Sequence, residues 1–140
     1  MENCRFCEIL SGDYDYSFIK NMKHGVLLAN YSQTYYGRCM YIYKNHASDI
    51  TSVNVNDLRE IAEEIVVVSK TIKEIFNADL INTASLGNHV QHLHWHIIPR
   101  YAKDPNWGNP PWPHEKEILP EADILKLTKK ISRELEKKEY

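Results

Sequence analysis

His92-Leu93-His94-Trp95-His96-Ile97-Ile98 carries two patterns at once. Side chains alternate between the faces of an extended strand. As a strand, this stretch puts His92, His94 and His96 on one face and Leu93, Trp95 and Ile97 on the other. The second face is apolar and suits a core. The first presents imidazoles about 6.8 Å apart at their β-carbons. An imidazole with a pKa near 6.5 is mostly neutral at pH 7, and neutral imidazole is a competent nucleophile toward phosphorus. A protonated neighbour can stabilise an oxyanion or protonate a leaving group. Histidines at alternate strand positions can also share one metal ion. Spacing alone leaves catalysis, metal ligation and coincidence open.

Outward from this run, the pattern predicts an α+β domain on an antiparallel sheet of about five strands. The strand reading covers Leu93–Arg100, with Pro99 marking its end. Further strands are expected around Tyr16–Lys20, Gly25–Asn30, Arg38–Lys44 and Asp79–Leu86. In Arg38–Lys44 both faces are largely apolar, so alternation does not say which faces inward. A short helical turn carries Cys4 and Cys7. A long helix is predicted from Val55 to Phe76, capped by Asn54 or Asn56, with Leu58, Ile61, Ile65, Val68, Ile72 and Ile75 on one stripe. Val66 and Val67 broaden that stripe enough for a second contact, such as a partner subunit. A final helix is expected over Glu121–Lys138, with Ile124, Leu127, Ile131 and Leu135 on one side. Between them, Asp104–His114 is rich in Pro and Gly and reads as an extended loop, its tryptophans (Trp107 and Trp112) serving either as an aromatic lid or as packing. No linker or repeat divides residues 1–140, so one domain is expected, with its core over about 4–112.

The chain has 140 residues, 43% hydrophobic and 26% charged, with a formal net charge of −2. That balance favours a globular protein and gives no basic excess for nucleic-acid binding. No apolar run approaches the roughly 20 residues that span a bilayer, and the first ten residues lack a signal-peptide core. A cytoplasmic protein is the expectation. Three cysteines argue against a disulfide framework. Cys4 and Cys7 have zinc-knuckle spacing, with His46 and His92 as candidate partners by type, or are buried apolar side chains. Cys39 reads as a core thiol.

The chain resembles the histidine-triad (HIT) family of nucleotide hydrolases and transferases. HLHWHII fits that family's His-φ-His-φ-His-φ-φ motif, where φ is apolar. CRFCEILSGD, GVLLAN, YYGRCMYIYKNH and HWHIIPRY follow in the family's order, so the likeness covers about Cys4 to Trp112. The resemblance implies a HIT-like fold, a nucleotide substrate and a homodimer. It makes His94 the nucleophile at the α-phosphate of a phosphoanhydride or phosphoramidate, of the diadenosine polyphosphate or adenylylated amine class. His96 would contact phosphate or leaving-group oxygens, and Asn30 the ribose hydroxyls. It assigns Cys4, Cys7, His46 and His92 to one structural zinc, with no catalytic cofactor. Asn82, Asn88, His89 and Arg38 fall near the expected substrate. Two of these depart from the family pattern: Arg38 stands where a histidine is common, and His89 replaces a hydroxyl donor. Arg38 cannot act as a base but can bind phosphate. These departures also suit a nucleotide- or partner-binding module with weak catalysis. A hydrolase using a metal on the histidine row is the remaining alternative.

Overall fold

The computed structural model describes residues 3–113 and 115–138; Met1, Glu2, His114, Glu139 and Tyr140 lie outside it. A short helix, α1 (Arg5–Leu10), is followed by β1 (Phe18–Asn21), β2 (Gly25–Ala29) and β3 (Cys39–Tyr43). The long helix α2 (Val55–Ile75), β4 (Leu80–Ala84), β5 (His94–Arg100) and α3 (Glu121–Glu136) complete the order. All strands join one antiparallel sheet in the order β1-β2-β3-β5-β4. The α+β expectation is met, with most element ends within two residues of those predicted. The last strand ends at Arg100, as expected, one residue after Pro99, which still pairs with Ile81.

Both helices cover the same sheet face. Leu27, Ala29, Cys39, Tyr41, Tyr43 and Ile97 form one core with Ile61, Val68 and Ile72 of α2 and with Ile124, Leu127, Ile131 and Leu135 of α3. Each large side chain buried there contributes about 1.5–3 kcal/mol before chain entropy is counted. Asn54 caps α2 by accepting the Asn56 N–H at 2.7 Å, and Asp57 favours its positive end. The opposite sheet face is apolar too at Val26, Leu28 and Ile42, because Cys4 and Phe6 of the N-terminal segment cover it. That is why alternation within β3 could not choose an inside.

The β1–β2 turn is fastened to α2 through Glu64, which is buried. Its carboxylate accepts the Lys23 N–H at 2.9 Å, the His24 N–H at 3.2 Å and the Tyr41 hydroxyl at 2.8 Å. At the start of β2, Gly25 leaves no room for a side chain: a β-carbon would stand 2.4 Å from the Ile42 carbonyl oxygen and 2.6 Å from the Tyr41 ring. Gly25→Ala should therefore destabilise the protein by roughly 2 kcal/mol or more through forced displacement of β3. Urea denaturation checks this, and an unchanged midpoint would contradict the packing described.

Candidate active site and metal cluster

The sheet register assembles the site. Leu28 pairs with Met40, Met40 with His96, and Ile42 with His94. One step beyond those strands, the Asn30 N–H donates to the Arg38 carbonyl at 3.2 Å. Asn30, Arg38, His96 and His94 therefore share the face that α2 and α3 leave open. Leu93, Trp95 and Ile97 belong to the core on the other face, as expected.

His92 is not part of the strand row. β5 begins at His94, and the His92 N–H closes a turn onto the Val90 carbonyl at 2.8 Å. The histidine row thus divides. His94 and His96 stay together, with ring centroids 5.1 Å apart, while the His92 ring lies 5.1 Å from that of His46.

Backbone carbonyls and Arg38 set the tautomers of these rings. The His94 Nδ1–H donates to the His92 carbonyl at 2.6 Å, which leaves the lone pair on Nε2. The ring is buried against Phe6, an edge contact with centroids 4.8 Å apart, and burial lowers its pKa. His96 has the opposite arrangement. Arg38 donates from Nη2 to His96 Nδ1 at 3.2 Å, so His96 Nε2 carries the hydrogen. Burial, then the Arg38 charge, then His94 push the His96 pKa down to about 3. His96 can donate a hydrogen bond, and it stays neutral through the physiological range.

Trp112 closes the rim beside His96. Its ring lies 5.1 Å from the His96 ring, and the Arg38 guanidinium sits 5.2 Å from its centroid. The loop carrying it is held by Arg100, which donates to Asp104, Asn82, and the carbonyls of Asn106 and Asn109. Of the two tryptophans in this loop, Trp112 meets the site and Trp107 is exposed.

The remaining sequence candidates separate. Asn30 Oδ1 is buried with no hydrogen-bond partner among the described residues. Asn82 lies on the histidine face opposite Ile98, but its amide oxygen is taken by Arg100 at 2.8 Å. Asn88 is exposed. His89 is exposed in a depression shared with Arg5, His46 and Ser48, on the cysteine side of the site. Phe6, the Tyr43 carbonyl and Arg100 were not anticipated, and only the aromatic character of Phe6 left any trace in the sequence.

Cys4, Cys7, His46 and His92 form a separate cluster whose ligand atoms lie within 4.8 Å of one another. His92 Nδ1 is 3.4 Å from Cys4 Sγ and 3.5 Å from Cys7 Sγ, and His46 Nδ1 is 3.4 Å from Cys7 Sγ. Sulfur and nitrogen bound to one tetrahedral zinc stand about 3.6 Å apart, given ordinary bond lengths. The His92 Nε2–H donates to the Tyr43 carbonyl at 2.7 Å, which frees Nδ1 to ligate. The donor set fits a tetrahedral ion. Cys39 stays apart, buried in the core, where burial pushes its thiol pKa up.

Residues 13–103 match the HIT domain family. The chain belongs to that family. This HIT protein is 27% identical over 139 residues to Protein hit of Bacillus subtilis, covering 96% of this chain and 95% of the relative. It is 27% identical over 134 residues to the adenosine 5'-monophosphoramidase hnt1 of Schizosaccharomyces pombe, covering 95% and 98%. Its fold matches a zinc-bound histidine triad family protein from Mycobacterium smegmatis with a TM-score of 0.76 and 20% identity, over 96% and 94% of the two chains. Among the described residues, no helix of this HIT protein is long and apolar enough to cross a membrane.

Arg38→Ala should return the His96 pKa part of the way toward 6.5, by removing a neighbouring positive charge and admitting water. Nitrogen shifts of the histidine rings across a pH titration report this directly. In the wild type, His96 should remain neutral at pH 5. Protonation of His96 near pH 6.5 in both proteins would refute the assigned role of Arg38.

Proposed function

We propose that this HIT protein is a nucleotide hydrolase or transferase that acts at the α-phosphate through a nucleotidyl-histidine intermediate on His94. The observation that carries this reading is the tautomer of His94. Its Nδ1–H is committed to the His92 carbonyl, so the Nε2 lone pair is the available nucleophile. Nε2 attacks phosphorus, the leaving group departs with the electron pair of the broken bond, and the imidazolium that forms keeps its hydrogen bond to His92. Water then cleaves the P–N bond, releasing the nucleoside monophosphate and a proton and restoring His94.

The other residues position the substrate. Asn30, with an unpaired buried amide oxygen, accepts from a ribose hydroxyl. His96 Nε2–H and the Arg38 charge hold phosphate oxygens. Asn82, on β4 with its amide oxygen held by Arg100, and the exposed Asn88 and His89 lie at the margin of the substrate. Because His96 gives a hydrogen bond rather than a proton, the site suits a leaving group that departs as an anion. A phosphoanhydride, such as a diadenosine polyphosphate, meets that condition. An adenylylated amine, the bond class in the name of the Schizosaccharomyces pombe relative, must draw its proton from water.

His94→Ala should lower turnover of both substrate classes by at least about 10³-fold, with nucleotide affinity retained. Steady-state assays with a diadenosine polyphosphate and an adenosine phosphoramidate test this, and near-normal rates would exclude His94 as the nucleophile. A specific observation favours a second reading, a nucleotide-binding module with weak catalysis. Burial, and then the Arg38 charge, keep His96 neutral and so remove its capacity to act as an acid. Tight binding without turnover in the wild type would select it.

Zinc fits the Cys4, Cys7, His46 and His92 cluster as a structural ion, and the Mycobacterium smegmatis protein of the same fold is zinc-bound. Removing it with a chelator should lower the melting temperature before it slows turnover; immediate loss of activity in the folded protein would instead assign the ion to catalysis.

The protein works as one domain and pairs with a second copy. β4 is an edge strand, and beside it Leu58, Ile65, Val66, Thr83 and Trp95 line an apolar depression. A monomer by light scattering at micromolar concentration would rule out the pairing.

A further inference from the structure

At the opposite end of the β2–β3 register from Asn30, the β1–β2 turn meets the first turns of α2. His24, Asp57 and Glu60 each bring a ligand atom there, all within 4.8 Å of one another. The His24 side chain is only 6% exposed, and neither ring nitrogen has a hydrogen-bond partner among the described residues. A neutral imidazole carries one donor and one acceptor, and buried polar groups of this kind are normally paired.

The backbone gives His24 little freedom to leave. Its N–H is held by Glu64 at 3.2 Å, and its carbonyl accepts the Lys44 N–H at 2.8 Å. Asp57 and Glu60 are three residues apart on α2, the spacing that puts two side chains on one helix surface. Glu60 is divided between two partners: Oε2 pairs with the Lys23 ammonium, while Oε1 faces His24 Nε2 at 3.6 Å. That gap is too long for a hydrogen bond. It is close to the roughly 3.4 Å that separates a nitrogen and an oxygen bound to the same tetrahedral zinc.

We propose that His24, Asp57 and Glu60 form a second zinc site, made of residues that the Cys4–Cys7 cluster does not use. One imidazole and two carboxylates suit zinc without the soft thiolates of the first cluster. Three protein ligands leave a fourth position for water on the exposed side of Glu60. The bound ion ties the β1–β2 turn to α2 beside the Glu64 fastening and stabilises the folded state in proportion to its occupancy.

The test is equilibrium dialysis of the full-length protein against micromolar Zn²⁺, with bound metal counted by elemental mass spectrometry. His24→Gln and Glu60→Gln should each bind one zinc fewer per chain than the wild type. Glu60 is partly exposed, so its variant keeps the test valid if the His24 variant does not fold. The difference between proteins, rather than the total, decides the matter. A wild-type count of two falling to one supports both sites. A count of one that falls to zero in Glu60→Gln supports this site and argues against zinc at the cysteines. Equal counts in the wild type and Glu60→Gln would overturn the proposal.

Discussion

A single short hydrogen bond, from His94 Nδ1–H to the carbonyl of His92, links the two halves of this structure. On one side of it, the His92 ring faces Cys4 and Cys7 and is anchored by the Tyr43 carbonyl. On the other, the bond decides which His94 nitrogen keeps a lone pair. The peptide between them is itself fixed: the Leu93 N–H donates to Ala47 at 2.7 Å, and the Leu93 carbonyl accepts from Tyr43 at 3.1 Å. A two-residue stretch therefore couples the geometry of the cysteine cluster to the orientation of the His94 ring. Such coupling needs no motion, because the backbone between the two rings has no slack.

The same stretch explains why His92, His94 and His96 differ although their spacing is uniform. Pairing with β3 begins at His94, and the turn before it rotates His92 away from the row. Arg38 then distinguishes the remaining two. A guanidinium against His96 Nδ1 and a carbonyl against His94 Nδ1 impose opposite tautomers on adjacent rings. His94 is left with a lone pair on Nε2 and His96 with an N–H there.

Sequence periodicity made the helices legible, since apolar residues at steps of three and four fall on one side of an α-helix and scatter over both faces of a strand. All four residues expected to bury one side of α3 do so. The strands were legible to within a residue or two, and the donors of the site were recognisable by type. What the sequence hid depends on long-range contacts. Arg38 is recognisable as a cation by type, but only the strand ladder sets its guanidinium against His96 Nδ1. Asn82 reads as a substrate contact until Arg100, eighteen positions away, takes its oxygen. Both faces of β3 looked internal because both are: one packs on helices, the other on the N-terminal segment. Trp112 could be recognised as a lid or as packing, but only the Arg100 network shows which rim it reaches.

That network grips the loop partly through main-chain atoms. Two of the Arg100 bonds end on the carbonyls of Asn106 and Asn109, which any residue would supply. The path of the loop is thus partly independent of the side chains it displays. Mutation can alter the surface presented beside His96 while the strand bearing His94 is left untouched. The rim is thus held by contacts separate from those that fix the His94 ring, so its surface can change without disturbing that ring.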